Sequence, residues 1–279
     1  MILFVPLFNR EPEACASGIV VDAHASGLRL NNEVLTLTNN NLPPRCVLRQ
    51  LFRASYCRKE RMTTEITLPM MRESLYAAVV ADALDSLGLR NQSPRVELRP
   101  YTSESLLVGR CKTTLWGDMY HEDPKPYELE LKAVDSCQPD DVMICAAHGS
   151  LHSALWGELL STASRNTGCI GAIVDGAARD VVKMREMGFP LFARGTSVYD
   201  SQNRQRVVDV DVPVEIAGVR FCAGDLVFAD IDGVVVVPQE VEQEAIQKAW
   251  DKVHAENVTR DAIRDGMLAA DAYEKYGVL

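Results

Sequence analysis

Two short segments, 22 positions apart, carry the residue types that could do chemistry in this chain. The first comprises Gly157, Glu158, Leu159 and Leu160, near the predicted start of a helix, and the second is the adjacent pair Arg179 and Asp180. A helix N-terminus offers unpaired N–H groups and a positive dipole end to the carboxylate of a small ligand. Aspartate binds hard cations such as Mg²⁺ or Mn²⁺. The two segments could therefore bind an anion beside a metal.

Asp180 also has a purely structural interpretation. The stretch "CIGAIVDGAARDVVKMREMG" predicts a strand, a turn and a short helix that ends at Gly188. Asp180 then lies at or near the N-cap, where a carboxylate accepts free backbone N–H groups for about 1 kcal/mol. On this local pattern alone we favour the cap by roughly three to one, since short motifs often match by chance. Arg179 would then be an ordinary surface or ion-pairing residue.

The elements that must position these residues follow from the hydrophobic pattern. A helix is predicted in "MRESLYAAVVADALDSLG", and strands in "SLLVGRCKTTLW", "DVMICAA", "CIGAIVDG" and "PLFARG". A further helix is predicted in "SALWGELLSTASRNTG", and a last one from about Gln239 to Arg264. The stretch "VDVDVPVEIAGVRFCAGDLVFADIDGVVVVP" looks entirely β, with Ala217-Gly218 among its turns. Alternating strands and helices beside hairpins predict a mixed α+β fold, with a mixed central sheet flanked by helices.

Composition limits the possible functions. The chain has 279 residues, 47% of them hydrophobic, and a net charge of -10. An acidic chain is a poor partner for a phosphate backbone, so we expect no nucleic-acid partner. No apolar run approaches the roughly 18 residues of a membrane span, and the chain start lacks the features of a secretory signal. The eight scattered cysteines suit reduced thiols. We therefore expect a cytoplasmic protein without a membrane partner.

The first 61 residues differ from the rest. They carry eight Lys or Arg against five Asp or Glu and lack sustained periodicity. Three interpretations remain: a disordered extension, an organelle-targeting segment, or non-coding sequence translated from too early a start. We favour the last, because Met62 stands immediately before an ordinary domain start. The predicted organisation is thus an N-terminal extension, 1–61, followed by one domain, 62–279.

The first chemical segment, together with "GAIVDGAARD", "MGFPLFARG" and "GDLVFADIDGVVVVP", resembles the class II 4-hydroxy-4-methyl-2-oxoglutarate aldolases and the RraA-like regulators of ribonuclease E activity. The resemblance covers about residues 70–279. It implies a swivelling β/β/α domain, assembled as a homotrimer or a dimer of trimers with active sites between subunits. It also implies metal-dependent retro-aldol cleavage that releases pyruvate, with oxaloacetate decarboxylation as a side activity. The alternative is a non-catalytic protein that binds and inhibits a ribonuclease.

The same resemblance implies a role for each candidate residue. The backbone amides of the segment from Gly157 to Leu160 would hold the carboxylate and oxo end of a 2-oxo acid, Arg179 would bind substrate and act catalytically, and Asp180 would bind Mg²⁺ or Mn²⁺. Arg179 would also meet the negative charge that grows on the enolate oxygen. The Glu158 side chain either orients metal-bound waters or is a solvated helix carboxylate. No His or Lys in the motif offers a base, so a metal-activated water is our hypothesis.

Overall fold

The computed structural model describes residues 65–102 and 106–278, together with five short strands nearer the N-terminus. The chain divides into two units, Met1–Thr64 and Glu65–Leu279. In the first unit, β1 (Pro6–Leu7) pairs with β2 (Ser17–Gly18), while β3 (Val20–Val21), β4 (Gly27–Leu30) and β5 (Glu33–Thr36) form an antiparallel sheet. Most of residues 1–61 lie outside the described residues, so our interpretation of them stays a prediction.

The second unit is built on an eight-stranded sheet. Its strands are β6 (Arg99–Pro100), β7 (Leu107–Asp118), β8 (Asp141–Trp156), β9 (Gly171–Ala178), β10 (Leu191–Thr196), β11 (Gln205–Val210), β14 (Leu226–Asp230) and β15 (Gly233–Val237). A separate hairpin is formed by β12 (Val214–Ile216) and β13 (Val219–Phe221). The spatial order is β15-β14-β7-β8-β9-β10-β6, with β11 also paired to β7. Strands β7 to β10 run parallel, and the others join antiparallel.

Seven α-helices accompany this sheet in the part of the second unit that the structure describes. They are α1 (Leu68–Ser74), α2 (Ala77–Ser86), α3 (Glu128–Asp135), α4 (Glu158–Asn166), α5 (Val181–Glu186), α6 (Glu242–Arg264) and α7 (Ala269–Tyr276). Helices α1, α2 and α6 share a core cluster with β14 and β15. Helices α3, α4 and α5 share a second cluster with one side of β8 and β9. The β12–β13 hairpin packs against the opposite side of the same strands.

Period-2 alternation explains how β8 and β9 serve two cores. Met143 and Val174 belong to the cluster beneath α3 to α5, whereas their neighbours Ile144 and Ile173 belong to the cluster beneath the hairpin. Successive strand residues point to opposite faces, so strands covered on both sides become apolar throughout. The predicted mixed α+β fold, with a mixed central sheet flanked by helices, is confirmed. No helix within 65–102 and 106–278 is both long enough and apolar enough to span a bilayer.

Two helix predictions need correction. The helix expected up to Gly88 is interrupted, because Leu75 and Tyr76 adopt extended conformations between α1 and α2. A side chain from a distant strand explains the new helix start: the backbone N–H of Ala77 donates to Oδ2 of Asp230 at 2.8 Å. The helix predicted from Ser153 also begins later, at Glu158, because the preceding residues continue β8.

Other predictions from local pattern are confirmed. The last long helix ends at Arg264, as expected. The β12–β13 hairpin turns at Ala217-Gly218, where φ is 47° and 81°. Two positive φ values are typical of the tight turns that join antiparallel strands.

Candidate functional site

The two chemical segments meet because each follows one of two paired parallel strands. In the register of β8 and β9, Trp156 lies opposite Ala178. Gly157 and Arg179, the next residues along the chain, are therefore neighbours, and the backbone N–H of Arg179 donates to the carbonyl of Trp156 at 2.9 Å. The carboxyl ends of parallel strands are the usual location of ligand sites in such sheets. The structure thus brings the predicted segments together.

Gly157 is required by its side-chain neighbours and not by its backbone conformation. Its φ of -156° is extended, a conformation open to any residue. A Cβ atom added here would lie 2.7 Å from Oδ2 of Asp180 and 3.2 Å from Cγ of Arg179. The missing side chain therefore leaves room for another side chain beside the backbone. In the structure, the Asp180 carboxylate occupies that space.

Asp180 is the N-cap residue of α5, as predicted, but it does not cap that helix with its side chain. Its backbone is left-handed, with φ of 57° and ψ of 28°, and its carboxylate makes no capping hydrogen bond to α5. Instead, Oδ2 accepts the backbone N–H of Glu158 at 3.3 Å, in the first turn of α4. The prediction of a local cap was therefore wrong about which helix benefits. A non-glycine residue in this conformation is uncommon and often marks a functional site.

Arg179 is held between two carboxylates. Its Nε lies 3.6 Å from Oδ2 of Asp180, and its Nη2 lies 2.6 Å from Oδ2 of Asp200. Asp200 also accepts hydrogen bonds from the Tyr127 hydroxyl at 2.7 Å and from the backbone N–H of Gln202 at 2.8 Å. These two hydrogen bonds fix the Asp200 carboxylate, which in turn holds the Arg179 guanidinium.

The ionised form of Asp200 is favoured by its partners. Burial acts to raise the pKa of this carboxyl, but the hydrogen bonds from Gln202 and Tyr127 and the charge of Arg179 outweigh it and leave the pKa below the ordinary value. Asp200 reaches the site through an isolated bridge between its backbone and that of Ala154. Sequence reasoning missed Asp200. An aspartate followed by polar residues is typical of an ordinary turn, and the bond from the Gln202 N–H is that of such an Asx turn.

A pocket of about 230 Å³ opens beside this arrangement. Its lining includes Gly157, Leu159 and Leu160 from the first segment, together with Arg179 and Asp180. The Glu158 carboxylate instead accepts a hydrogen bond from the Thr162 hydroxyl on its own helix at 3.1 Å. That contact favours the simpler of its two interpretations, a solvated helix carboxylate.

The pocket contains one more carboxyl that sequence reasoning missed. Glu130, in the first turn of α3, lines the pocket and is 7% exposed. Burial, and then the negative charge of Asp200, raise the pKa of Glu130 to about 8, although the positive charge of Arg179 acts in the opposite direction. A carboxyl with this pKa is mostly protonated at pH 7 and loses its proton just above neutral pH.

The donors present fit a mostly hydrated cation. In the portions of the chain that the structure describes, no group of three or more His, Cys, Asp or Glu side chains is arranged to hold a metal. The Asp180 side chain is 43% exposed, and its two described contacts both involve Oδ2. Mg²⁺ commonly keeps several waters and takes only one or two protein carboxylates. Asp180 suits such an ion.

Comparison with known proteins gives consistent relationships. The family model described as "RraA-like: Aldolase/RraA" matches residues 77–236. A Halalkalibacterium halodurans protein named "Putative 4-hydroxy-4-methyl-2-oxoglutarate aldolase" is 32% identical over 196 residues, which cover 70% of this chain and 87% of that protein. Protein DlpA of Legionella pneumophila is 26% identical over 227 residues, which cover 78% of this chain but only 35% of that protein.

A solved structure extends the comparison to three dimensions. It is that of Streptomyces coelicolor RraAS2, described as an unusual member of the RNase ES inhibitor RraA protein family. The match has a TM-score of 0.61 and 29% sequence identity, and it covers 68% of this chain and 95% of that one. The fold described above is therefore shared with a protein of the same family name.

Proposed function

The chain belongs to the RraA-like family, and on that premise we propose that it is an aldolase-type lyase that releases pyruvate from 4-hydroxy-4-methyl-2-oxoglutarate or a related 4-hydroxy-2-oxo acid. One observation carries the proposal: Gly157 has no side chain where Arg179 and Asp180 approach the first turn of α4. A purely structural turn has no need for this close packing of a guanidinium, a carboxylate and a helix N-terminus.

The residues of the pocket match the charges that develop in such a cleavage. A 2-oxo acid carries a carboxylate that the N-terminal N–H groups of α4 and the Arg179 guanidinium can bind. Breaking the C3–C4 bond leaves an electron pair on the pyruvate fragment, and Arg179 is placed to stabilise the resulting oxyanion. A divalent cation held by Asp180, Mg²⁺ or Mn²⁺, would supply a Lewis acid for the carbonyl oxygen. Decarboxylation of oxaloacetate produces the same enolate, so we propose it as a side activity.

Assembly as a homotrimer or a dimer of trimers belongs to the same proposal. Leu131 and Leu159 line the pocket and are 50% and 75% exposed. Large apolar side chains exposed at the edge of a polar pocket suit burial by another protein surface. A second copy of this chain would cover them and complete the active site between subunits.

Inhibition of a ribonuclease is the second candidate function. It is favoured by the likeness to RraAS2, whose description names an RNase inhibitor family. Such binding would depend on the protein surface and not on Asp180. Addition of the protein to a ribonuclease E-type enzyme cleaving RNA tests this candidate directly.

The aldolase proposal is tested by assaying pyruvate release. The full chain is incubated with 4-hydroxy-4-methyl-2-oxoglutarate or with oxaloacetate, in the presence of Mg²⁺ or Mn²⁺ and then with excess chelator. We expect turnover that the chelator abolishes and that added metal restores. Absence of turnover with these and related 4-hydroxy-2-oxo acids, combined with inhibition of the ribonuclease, would favour the second candidate.

A further inference from the structure

Glu130 is a buried carboxyl that the proposed binding of substrate and metal leaves without a role. It lines the pocket from α3, a helix that precedes both chemical segments in the chain, and it is 7% exposed. Within residues 65–102 and 106–278, no group donates a hydrogen bond to its carboxylate, yet no side-chain oxygen or nitrogen there is both fully enclosed and without a partner. The Glu130 carboxylate therefore keeps an opening to the pocket that it lines. A mostly buried carboxyl that is unpaired and open to a ligand pocket is a candidate for proton transfer.

The ionisable groups around Glu130 form contacts with one another and not with Glu130. The other ionisable side chains that line the pocket are Tyr127, Arg179, Asp180 and Asp200. Tyr127 donates to Asp200, and Arg179 contacts both aspartates. Glu130 therefore has a negative neighbour in Asp200 and a positive one in Arg179, without a bond to either.

One further titratable group faces Glu130 from the sheet. Burial raises the pKa of the Cys145 thiol on β8 to about 12, and the charge of Glu130 contributes in the same direction. Cys145 is therefore neutral over the range in which Glu130 titrates. Among the residues that the structure describes, the ionised groups that act on Glu130 are Asp200 and Arg179, both in the pocket lining.

Retro-aldol cleavage needs a group that first accepts a proton and later donates one. The substrate's C4 hydroxyl must lose its proton as the C4 carbonyl forms, and C3 of the enolate must later gain one. Resting on the function proposed above, we propose that Glu130 is the acid–base residue that takes the C4 hydroxyl proton and returns it to C3. It replaces the metal-activated water that the sequence alone had led us to expect.

Atoms and charges balance in this scheme. The Glu130 carboxylate accepts the hydroxyl proton while the C3–C4 bond breaks, and the electron pair of that bond remains on the pyruvate fragment as its enolate. The carboxylic acid so formed then protonates C3, which gives pyruvate and restores the carboxylate. No external acid or base is consumed. A pKa near 8 suits both halves, since proton transfer is most efficient when the pKa of the catalyst lies near the working pH.

The test compares Glu130→Gln with Glu128→Gln in the full-length protein. Glu128 lies in the same helical turn, but it is paired with Lys125 and does not line this pocket. For Glu130→Gln we expect a loss of about 10²- to 10⁴-fold in kcat/KM for aldol cleavage, as for other general acid–base residues. We expect the wild-type kcat/KM to rise as the pH increases through about 8, because only the ionised form is a base, and this rise to be absent in Glu130→Gln.

A partial reaction separates this proposal from the identity of the substrate. In D₂O with Mg²⁺, the wild-type protein should exchange the methyl protons of pyruvate for deuterium, which NMR detects without any aldol substrate. Glu130→Gln should lose this exchange while circular dichroism shows a native fold, and Glu128→Gln should keep it.

The outcomes distinguish the two proposals. Wild-type protein that neither cleaves nor exchanges overturns the proposed function, and the role of Glu130 with it. Active wild-type protein with an equally active Glu130→Gln variant, or with the same pH profile in both, overturns the role of Glu130 alone. If Glu130→Gln does not fold, the pH profile of the wild type decides: a flat profile between pH 6 and 9 refutes the role of Glu130.

Discussion

Substitution of Gly157 by alanine tests whether the approach of the two segments is functional. The added Cβ would lie 2.7 Å from Oδ2 of Asp180, whereas ordinary contacts begin at 3.4 Å. The carboxylate must therefore move by about 0.7 Å. A misplacement of about 1 Å in a catalytic group can reduce the rate by about 10²-fold. We expect kcat/KM for pyruvate release to fall by about 10- to 100-fold, or roughly 1.4 to 2.7 kcal/mol.

The same substitution should change stability little. The backbone at Gly157 is extended, so alanine introduces no conformational strain, and the Asp180 side chain is 43% exposed and free to swing away. Alanine also restricts the unfolded chain, which offsets part of the steric cost. We expect the free energy of unfolding in urea to change by no more than about 1 kcal/mol, at the low end of overpacking effects.

Gly117→Ala is the matched control for this prediction. Its Cβ would meet a single side-chain atom, Cγ2 of Val208 at 3.2 Å, and it does not line the pocket. We expect nearly wild-type activity from it. If folded Gly157→Ala keeps full activity, or if both variants lose activity equally, the positions of Arg179 and Asp180 do not limit the reaction and the reasoning is refuted.

Two further variants probe the other carboxyls. Asp200→Asn removes the 2.6 Å ion pair with Arg179, so kcat/KM should fall by about 10-fold or more. It also removes the negative charge that raises the pKa of Glu130, so the rise of activity with pH should move to lower pH. An unchanged pH profile would contradict this coupling between Asp200 and Glu130. In wild-type protein, the pKa of Glu130 is higher in the folded state than in the unfolded state, so stability should fall as pH rises from about 4.5 to about 8, by up to about 5 kcal/mol. Glu130→Gln should lose this part of the pH dependence in urea unfolding at pH 5 and pH 9, and unchanged dependence would argue against the raised pKa.

The sequence predicts elements well where local pattern decides them. The long helix that ends at Arg264 and the turn at Ala217-Gly218 both follow from residues within a few positions of each other. The break between α1 and α2 does not, because the carboxylate that bonds the start of α2 comes from Asp230, 153 positions away. A helix start stabilised from another strand leaves no mark in the local sequence.

The same distinction separates the predicted site residues from those that were missed. The first segment and Arg179-Asp180 follow adjacent strands in the structure, but the sequence associated them through the family resemblance and not through the order of elements. Asp200 resembles any turn aspartate, and Glu130 shares the first turn of α3 with the exposed Glu128. Only the packing of α3 over the pocket makes one of these glutamates buried and the other solvated. Burial of this kind depends on tertiary contacts that periodicity does not report.

Asp180 now has two roles to separate, that of a bond to α4 and that of a metal ligand. Asp180→Asn keeps an oxygen that can accept the Glu158 N–H, and asparagine tolerates the left-handed backbone, but it removes the charge. Asp180→Ala removes both, and should lose about 1 kcal/mol of stability or more through the lost bond and the strained backbone. We expect both variants to lose Mn²⁺ binding and pyruvate release, with only Asp180→Ala less stable. Metal binding or activity retained by Asp180→Asn would reduce Asp180 to a structural cap.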